Sequence, residues 1–257
     1  MKKHIDPAVS LIAAVLVVLG SLAPAAAAEW GTLRGQFVYD GQAPQPEELN
    51  VTTDKDLCGK PPALVDESLV VGEEGGLANV LVYVRSKDVT INPDLQAPPE
   101  EPLTIDNVRC QFVPHVSAVY IEHPILLLNS DPKAHNTNIQ PLGDLPINPL
   151  LAPGQTIEHK FGRGQRVPVP VQCNVHPWMM GYILPSATPY FAVSAEDGTF
   201  EIEGLPLGEE IEFQAWQERS GYLAVSQWDK GRFTLTLSDP TTDLGVIQVP
   251  PALLEKK

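Results

Sequence analysis

Beyond its N-terminal segment, the chain alternates between short apolar runs and clusters of turn-forming residues. The runs are typical of β-strands and include LRGQFVYD, ANVLVYV, ILLLN, VPVPVQC, TFEIEG, IEFQAW and GVIQV. No segment of this part keeps apolar residues at helical spacing for about three turns. The pattern predicts an all-β sandwich or barrel with almost no helix. Because proline cannot donate to a strand ladder, VPVPVQ is predicted to be an edge strand.

The N-terminal segment has the order of a secretory signal peptide. Two lysines follow Met1, an uncharged stretch runs through LIAAVLVVLG, and small residues end it at Ala26-x-Ala28. An uncleaved membrane anchor is the alternative, because about 20 uncharged residues can span a bilayer. Pro24 and the alanine run favour cleavage. We therefore expect an exported protein, periplasmic or extracellular, whose mature chain has no membrane span.

The acidity of the chain limits its partners. The formal net charge is -15 at pH 7. A surface this acidic repels nucleic acid and anionic membranes, and it suits a basic partner such as an electron-transfer protein. No HExxH motif, phosphate-binding glycine loop or GxSxG elbow occurs. The chemistries that these motifs carry therefore fit the chain poorly.

Two blocks near the ends have the features of two halves of one module. The first holds GTLRGQFVYDGQAPQPEELNV and ANVLVYV, and the second is AVSAEDGTFEIEGLPLGEEIEFQAW, with a tight turn at Asp197-Gly198. Together they resemble a carboxypeptidase-regulatory or transthyretin-like β-sandwich, and the segment between them is predicted to be an inserted or fused second sandwich. The predicted division is a signal peptide at 1–28, the first part of the outer sandwich at 29–101, the inserted domain at 102–188, the second part at 189–250 and a tail at 251–257.

The three cysteines are an informative number in an oxidising compartment, because two can pair and one is left over. Cys173 lies in VQCNVH, close to His176, whereas Cys58 and Cys110 have no histidine nearby. We therefore predict a Cys58–Cys110 disulfide and a free Cys173 thiolate.

Five of the six histidines fall in the inserted segment, and two of them have ligand-like neighbours. Cys173 and His176 put a thiolate and an imidazole on one loop at the end of a strand. His135, in NSDPKAHN, is the candidate for a third ligand, and Met179 and Met180 follow His176 closely. A thiolate, two imidazoles and a weak axial thioether suit copper, which cycles between Cu(I) and Cu(II). These residues predict a mononuclear copper site.

The stretches FVPHV, ILLLNSDPKAHN, APGQTIEHKF and VPVQCNVHPWM follow one another in a familiar order. They resemble the cupredoxins, the plastocyanin, azurin and pseudoazurin type of copper protein. The resemblance implies a Greek-key β-sandwich in which His135, Cys173 and His176 bind copper. It also implies that Asn136 steadies the site.

The axial methionine departs from the family pattern. Four residues usually separate the second histidine from the methionine, and that position here is Gly181. Met179 is therefore the preferred axial ligand and Met180 the alternative. Trp178 is predicted to pack beside the site. His115, after the FxP strand, is expected in the interior and is an alternative extra ligand.

The expected function is single-electron transfer between periplasmic partners by a type 1-like copper centre. Because the cupredoxins move electrons without chemical turnover, the resemblance implies that the protein is not an enzyme. Two alternatives stay open. A copper sequestration or delivery protein would need an exchangeable site, and a β-sandwich binding module would have a structural or vestigial copper site.

Overall fold

The computed structural model describes residues 30–225 and 228–256, so the predicted signal peptide lies outside the described residues. The strands are β1 Trp30–Tyr39, β2 Leu81–Val84, β3 Thr104–Val108, β4 Gln111–Val113, β5 Val116–Tyr120, β6 Ile125–Asn129, β7 His135–Asn136, β8 Asn138–Ile139, β9 Leu150–Leu151, β10 Thr156–His159, β11 Val169–Gln172, β12 Met180–Ser186, β13 Phe191–Val193, β14 Thr199–Pro206, β15 Glu210–Gln217, β16 Gly221–Tyr222, β17 Arg232–Thr236 and β18 Thr241–Val249. Helix α1 is Lys55–Cys58, and 3₁₀ turns lie at Glu73–Gly75, Pro93–Leu95 and Pro251–Leu253. The predicted all-β class is confirmed. Within these residues, no helix has the length and apolar character needed to cross a membrane.

The outer sandwich is built from both ends of the described chain. One of its sheets has the order β14–β1–β18, and the other has the order β13–β2–β15–β16 with β17 also paired to β15. In β1 the alternation of side chains puts Leu33 and Phe37 in the core and Arg34 in solvent. The same alternation in β14 buries Phe200 and Ile202. The two sheets therefore close over one apolar core.

The inner sandwich lies between these halves in sequence and contains the strands from β3 to β12. Its main sheets have the orders β10–β6–β3–β4 and β5–β12–β11–β8, and β7 pairs separately with β9. Strand β3 pairs with β6 in parallel, as β5 does with β12, whereas the other neighbours are antiparallel. Its own apolar core includes Ile105, Phe112, Leu127, Val171 and Ile183.

Strand β11 corrects one sequence prediction. The prolines of VPVPVQ predicted an edge strand, but β11 lies between β12 and β8. The edge prediction was therefore wrong. Strand β8 is short, however, and pairs only with Val171 and Gln172. Within the described chain, Pro170 therefore has no strand partner on that side and costs no ladder hydrogen bond there.

The two sandwiches pack face to face through a third apolar cluster. Its buried members are Leu81, Tyr83 and Trp216 of the outer sandwich and Val116 and Leu184 of the inner one. Strand β2 is therefore covered on both faces, which explains why its sequence LVYV is continuously apolar rather than alternating. The outer sandwich thereby covers β12, the strand that follows the CNVHPWM loop.

Residues 49–64 pack on the inner sandwich, although the sequence analysis placed them with the outer one. Cys58 and Leu64 are buried in the inner core, and Leu57 packs against that core. Cys58 and Cys110 form a disulfide with an S–S distance of 2.01 Å. Cys173 is a free, buried thiol. The crosslink therefore fastens this segment to the β3–β4 hairpin.

A charged cluster fastens the next stretch to the C-terminal residues. Lys256 Nζ lies 2.8 Å from Asp66 Oδ2, and the amide of Ser68 donates to Asp66 Oδ1 at 2.8 Å. Burial alone would raise the pKa of Asp66, but the hydrogen bonds from Lys256 and Ser68 lower it to about 2. Because the folded pKa lies below the unfolded value of 3.8, this carboxylate stabilises the fold above that pH and loses its contribution as the pH falls towards 2.

We expect Asp66→Asn to lower the free energy of unfolding at neutral pH by about 1 kcal/mol, after allowance for solvent screening. The difference should vanish as the pH approaches the folded pKa of about 2. Urea titrations at a series of pH values measure it. Glu47→Gln is the control, because exposed Glu47 contacts the same lysine at 2.6 Å. A difference that grows on acidification would contradict the prediction.

Candidate metal centre

Three ligand-type side chains converge in the inner sandwich. His135 lies in β7, Cys173 follows β11 directly, and His176 lies in the loop after it. Cys173 Sγ is 3.9 Å from Nδ1 of His135 and 3.6 Å from Nδ1 of His176. The two imidazole rings are 4.6 Å apart between centroids, and all three side chains are buried. The geometry thus brings together one sulfur and two ring nitrogens.

The spacing of these atoms fits a copper ion. Metal–sulfur and metal–nitrogen bonds of roughly 2.3 and 2.0 Å at trigonal angles place sulfur and nitrogen about 3.7 Å apart. The two Sγ–Nδ1 distances of 3.9 and 3.6 Å lie on either side of that value. A thiolate with two imidazoles is also the donor set that suits copper in both of its oxidation states. The donors therefore fit the metal by spacing and by chemistry.

The thiol and one imidazole shift each other's pKa. Burial alone would raise the pKa of Cys173, but hydrogen bonds led by that with His135 lower it to about 7. Burial alone would lower the pKa of His135, but Asp131 and Cys173 raise it to about 9. Metal ligands are thiolate and neutral imidazole, so a metal held by these side chains would compete with protons for them.

Asn136 fixes the ligand loop. Its Oδ1 accepts hydrogen bonds from the amides of Asn174 at 2.8 Å and Val175 at 3.4 Å, and it lies 3.5 Å from Cys173 Sγ. Its Nδ2 donates to Asn148 Oδ1 at 2.6 Å. The side chain thus ties β7 to the loop that carries the cysteine, which is the supporting position that the resemblance implies.

Each histidine has a carboxylate behind its outer nitrogen. His135 Nε2 lies 3.0 Å from Asp131 Oδ2, and His176 Nε2 lies 3.0 Å from Asp54 Oδ2. The His176 contact is a hydrogen bond, which fixes the tautomer that leaves Nδ1 for a metal. The His135 contact has the distance of an ion pair without hydrogen-bond geometry, so Asp131 acts on this ring by its charge. The sequence analysis missed both aspartates. Asp131 could have been noticed four positions before His135 in NSDPKAHN, whereas no motif marks Asp54.

The disulfide connects the supports of the two histidines. Asp131 accepts hydrogen bonds from the backbone amides of Arg109 and Cys110, both at 2.7 Å. These two residues have φ angles of 51° and 59°, the left-handed pair that closes the β3–β4 hairpin. Asp54 precedes Cys58 closely, in the segment that the bridge ties down. One crosslink therefore holds both aspartates near the centre.

Asp54 also covers the centre on the side of His176. Its Oδ1 is 3.0 Å from Lys133 Nζ, which lies 3.2 Å from Asp56 as well. Hydrogen bonds with Lys133 and His176 lower the pKa of Asp54. His176 itself is fully buried. The Asp54–Lys133 pair is therefore part of the covering over this ligand.

We expect Asp54→Ala to weaken copper affinity about 10-fold and to speed copper release, because it removes the carboxylate that orients His176. Transfer of Cu(I) to a competing chelator measures the release rate. Asp56→Ala is the matched control, since exposed Asp56 shares Lys133 without contacting His176. Equal release rates for the two variants would show that Asp54 does not act through the histidine.

The two candidate methionines differ in their surroundings. Met179 is buried in the same core as Cys173, and its amide donates to the carbonyl oxygen of His176 at 2.9 Å. Met180 begins β12 and is half-buried, with its Sδ 3.6 Å from Gln172 Nε2. Because Met179 is buried in the same core as the thiol, it is the better placed of the two to offer a thioether to a metal held there.

Trp178 and His115 occupy different places. The ring of Trp178 lies 5.2 Å from that of His176 between centroids, so this side chain packs beside the centre. His115 does not join the group of ligands. Its Nε2 lies 2.6 Å from Glu218 Oε2, in the β15–β16 turn of the outer sandwich. The contact between the sandwiches therefore determines the position of this histidine.

Comparison with known proteins gives only distant similarity. No family model matches the chain, and no curated protein matches it. Among solved structures, the chain is similar to the copper-containing nitrite reductase from Thermus scotoductus SA-01, with 22% identity, a TM-score of 0.31, and coverage of 38% of this chain and 27% of that chain. It is similar to amicyanin from Paracoccus versutus (13% identity, TM-score 0.30, 41% and 97% of the two chains). It is also similar to a purple cupredoxin from Nitrosopumilus maritimus (21% identity, TM-score 0.28, 33% and 99%).

The chain thus spans about a quarter of the nitrite reductase and nearly all of the two smaller proteins. These identities and TM-scores are too low to assign a family. The resemblance of the outer sandwich to carboxypeptidase-regulatory domains stays a prediction.

Proposed function

We propose that the protein is exported, binds one copper ion through His135, Cys173 and His176, and carries single electrons between periplasmic partners. The observation that carries this proposal is a buried thiol that faces two Nδ1 atoms, each on a ring whose other nitrogen meets a carboxylate. Copper bound by these residues would supply one-electron chemistry between Cu(I) and Cu(II).

The arrangement of the side chains suits a carrier rather than an enzyme. Asp131 and Asp54 orient the two imidazoles, and Asn136 holds the loop, so the ligands need little rearrangement between oxidation states. Burial of the ligands keeps bulk water away from them. The net charge of -15 favours a basic redox partner.

A redox cycle in the presence of a Cu(I) chelator separates electron transfer from copper delivery. We expect the copper–thiolate absorption to bleach with a one-electron reductant and to return in full on reoxidation, with no metal lost to the chelator. Loss of the metal in the reduced state would instead support sequestration or delivery. An absorption that does not cycle would support a structural site in a binding module.

Met179→Leu is expected to leave copper bound while it shifts the thiolate-to-copper absorption and the reduction potential, because an axial thioether tunes both. Absorption spectroscopy and voltammetry measure the two shifts. Met180→Leu is the control and should leave both nearly unchanged. If Met180→Leu produces the shift and Met179→Leu does not, Met180 is the axial ligand.

A further inference from the structure

A second group of ligand-type side chains surrounds a small cavity outside the thiolate centre. The cavity has a volume of about 40 Å³, and its lining includes Glu67, His115, Met180 and Glu218, together with Met179 of the neighbouring thiolate centre. This volume is enough for one ion or one water molecule. Glu218 comes from the outer sandwich, so both sandwiches contribute to the cavity.

His115 has the arrangement of a metal-binding histidine. The residue is only 9% exposed, and its Nε2 lies 2.6 Å from Glu218 Oε2. Its Nδ1 has no hydrogen-bond partner in the described part of the chain. Metal-binding histidines typically place one ring nitrogen on a carboxylate and offer the other to the metal. Because buried polar atoms without a partner are rare, this nitrogen points to a ligand.

Glu67 supplies a negative charge on the open side of this ring. Its Oε2 lies 3.8 Å from His115 Nδ1, which is longer than a hydrogen bond. Gln111 Nε2 donates to the same oxygen at 2.7 Å and holds it in place. Metal bonds of roughly 2.1 Å to each atom span such a gap at an angle of about 130°. Partial burial raises the pKa of Glu67, so a cation beside this carboxylate would stabilise its charged form.

We propose that His115, Glu67 and Met180 form a second copper site, separate from the thiolate centre. Imidazole nitrogen and thioether sulfur favour Cu(I), and the carboxylate balances its charge. Met180 lines the cavity from the start of β12, and its flexible side chain adapts to a bound ion. Glu218 acts from behind the imidazole as a positioning residue. This site goes beyond the proposed function and does not rest on it.

Counting bound Cu(I) against a competing chromophoric chelator tests the proposal. The wild-type protein should bind two ions per chain. A Cys173→Ser/His176→Gln variant, in which the thiolate centre is disabled, should bind one. Adding His115→Gln to that variant should abolish the remaining ion, and adding Glu67→Gln or Met180→Leu should weaken it. His123→Gln is the control, because His123 hydrogen-bonds Gln96 away from the cavity.

The outcomes separate this site from the thiolate centre. One ion in the wild-type protein and none in the disabled variant would overturn the second site and leave the proposed function standing. One ion in each protein would support the second site and contradict the thiolate centre. One ion that persists after His115→Gln would overturn the second site.

A spectroscopic readout covers the case in which His115→Gln fails to fold. In the disabled variant, Cu(I) should shift the ¹⁵N resonance of His115 Nδ1. An unchanged resonance would mean that the ring is a protonated bridge between two carboxylates, and it would overturn the proposal.

Discussion

A Cys58→Ser/Cys110→Ser variant is expected to have a free energy of unfolding about 4 kcal/mol below that of the wild-type protein. The bridge joins residues 52 positions apart, and removing it returns the entropy of that loop to the unfolded chain. Both cysteines are buried, so the serine hydroxyls add a desolvation cost. Urea titration followed by tryptophan fluorescence measures the difference.

The same variant is expected to bind copper more weakly. The bridge fastens the segment of Asp54 to the hairpin whose amides hold Asp131, so its loss loosens the supports of both histidines. Cys173→Ser is the comparison for stability alone, because it replaces a buried thiol and leaves the bridge intact. A small loss of stability in the double variant, with unchanged copper affinity, would contradict this role of the crosslink.

Asp131→Ala is expected to lower the free energy of unfolding by about 3 kcal/mol and copper affinity by roughly 10- to 100-fold. The substitution leaves the amides of Arg109 and Cys110 without their acceptor and His135 without its carboxylate. Asp131 is only 5% exposed, so water cannot readily replace it. Urea titration and competitive copper titration measure the two effects.

A nearby aspartate provides a matched control for this variant. Asp106 accepts hydrogen bonds from the amide and the hydroxyl of Ser130 at 2.9 and 2.7 Å, but the pair is exposed. Asp106→Ala should therefore cost less than about 1 kcal/mol and leave copper affinity unchanged. Similar losses for the two alanine variants would show that burial and contact with His135 do not give Asp131 a special role.

Local features explain what the sequence predicted well. The apolar runs and turn residues specify strands over short distances, so the all-β class followed from pattern alone. Cys173 and His176 share one loop, so their proximity also followed from spacing. His135 reaches them because β8, two residues further along, pairs with β11, and because Asn136 accepts a hydrogen bond from the amide of Asn174. The sequence proposed His135 as the third ligand but gave no information about these contacts.

Contacts between distant segments explain what the sequence did not predict. Asp54 meets His176 across 122 positions, and Glu218 meets His115 across 103 positions. Periodicity carries no information about such pairs. The sequence also mispredicted β11 as an edge strand, because its pairing with the short strand β8 depends on tertiary structure. Supporting side chains are thus harder to predict than the ligands they hold.

The visible absorption spectrum after addition of Cu(II) to the purified protein decides whether Cys173 holds copper. We predict an intense thiolate-to-copper band in the wild-type protein and its disappearance in Cys173→Ser. A band that is absent from both proteins, or that persists unchanged without the thiol, would contradict the copper centre.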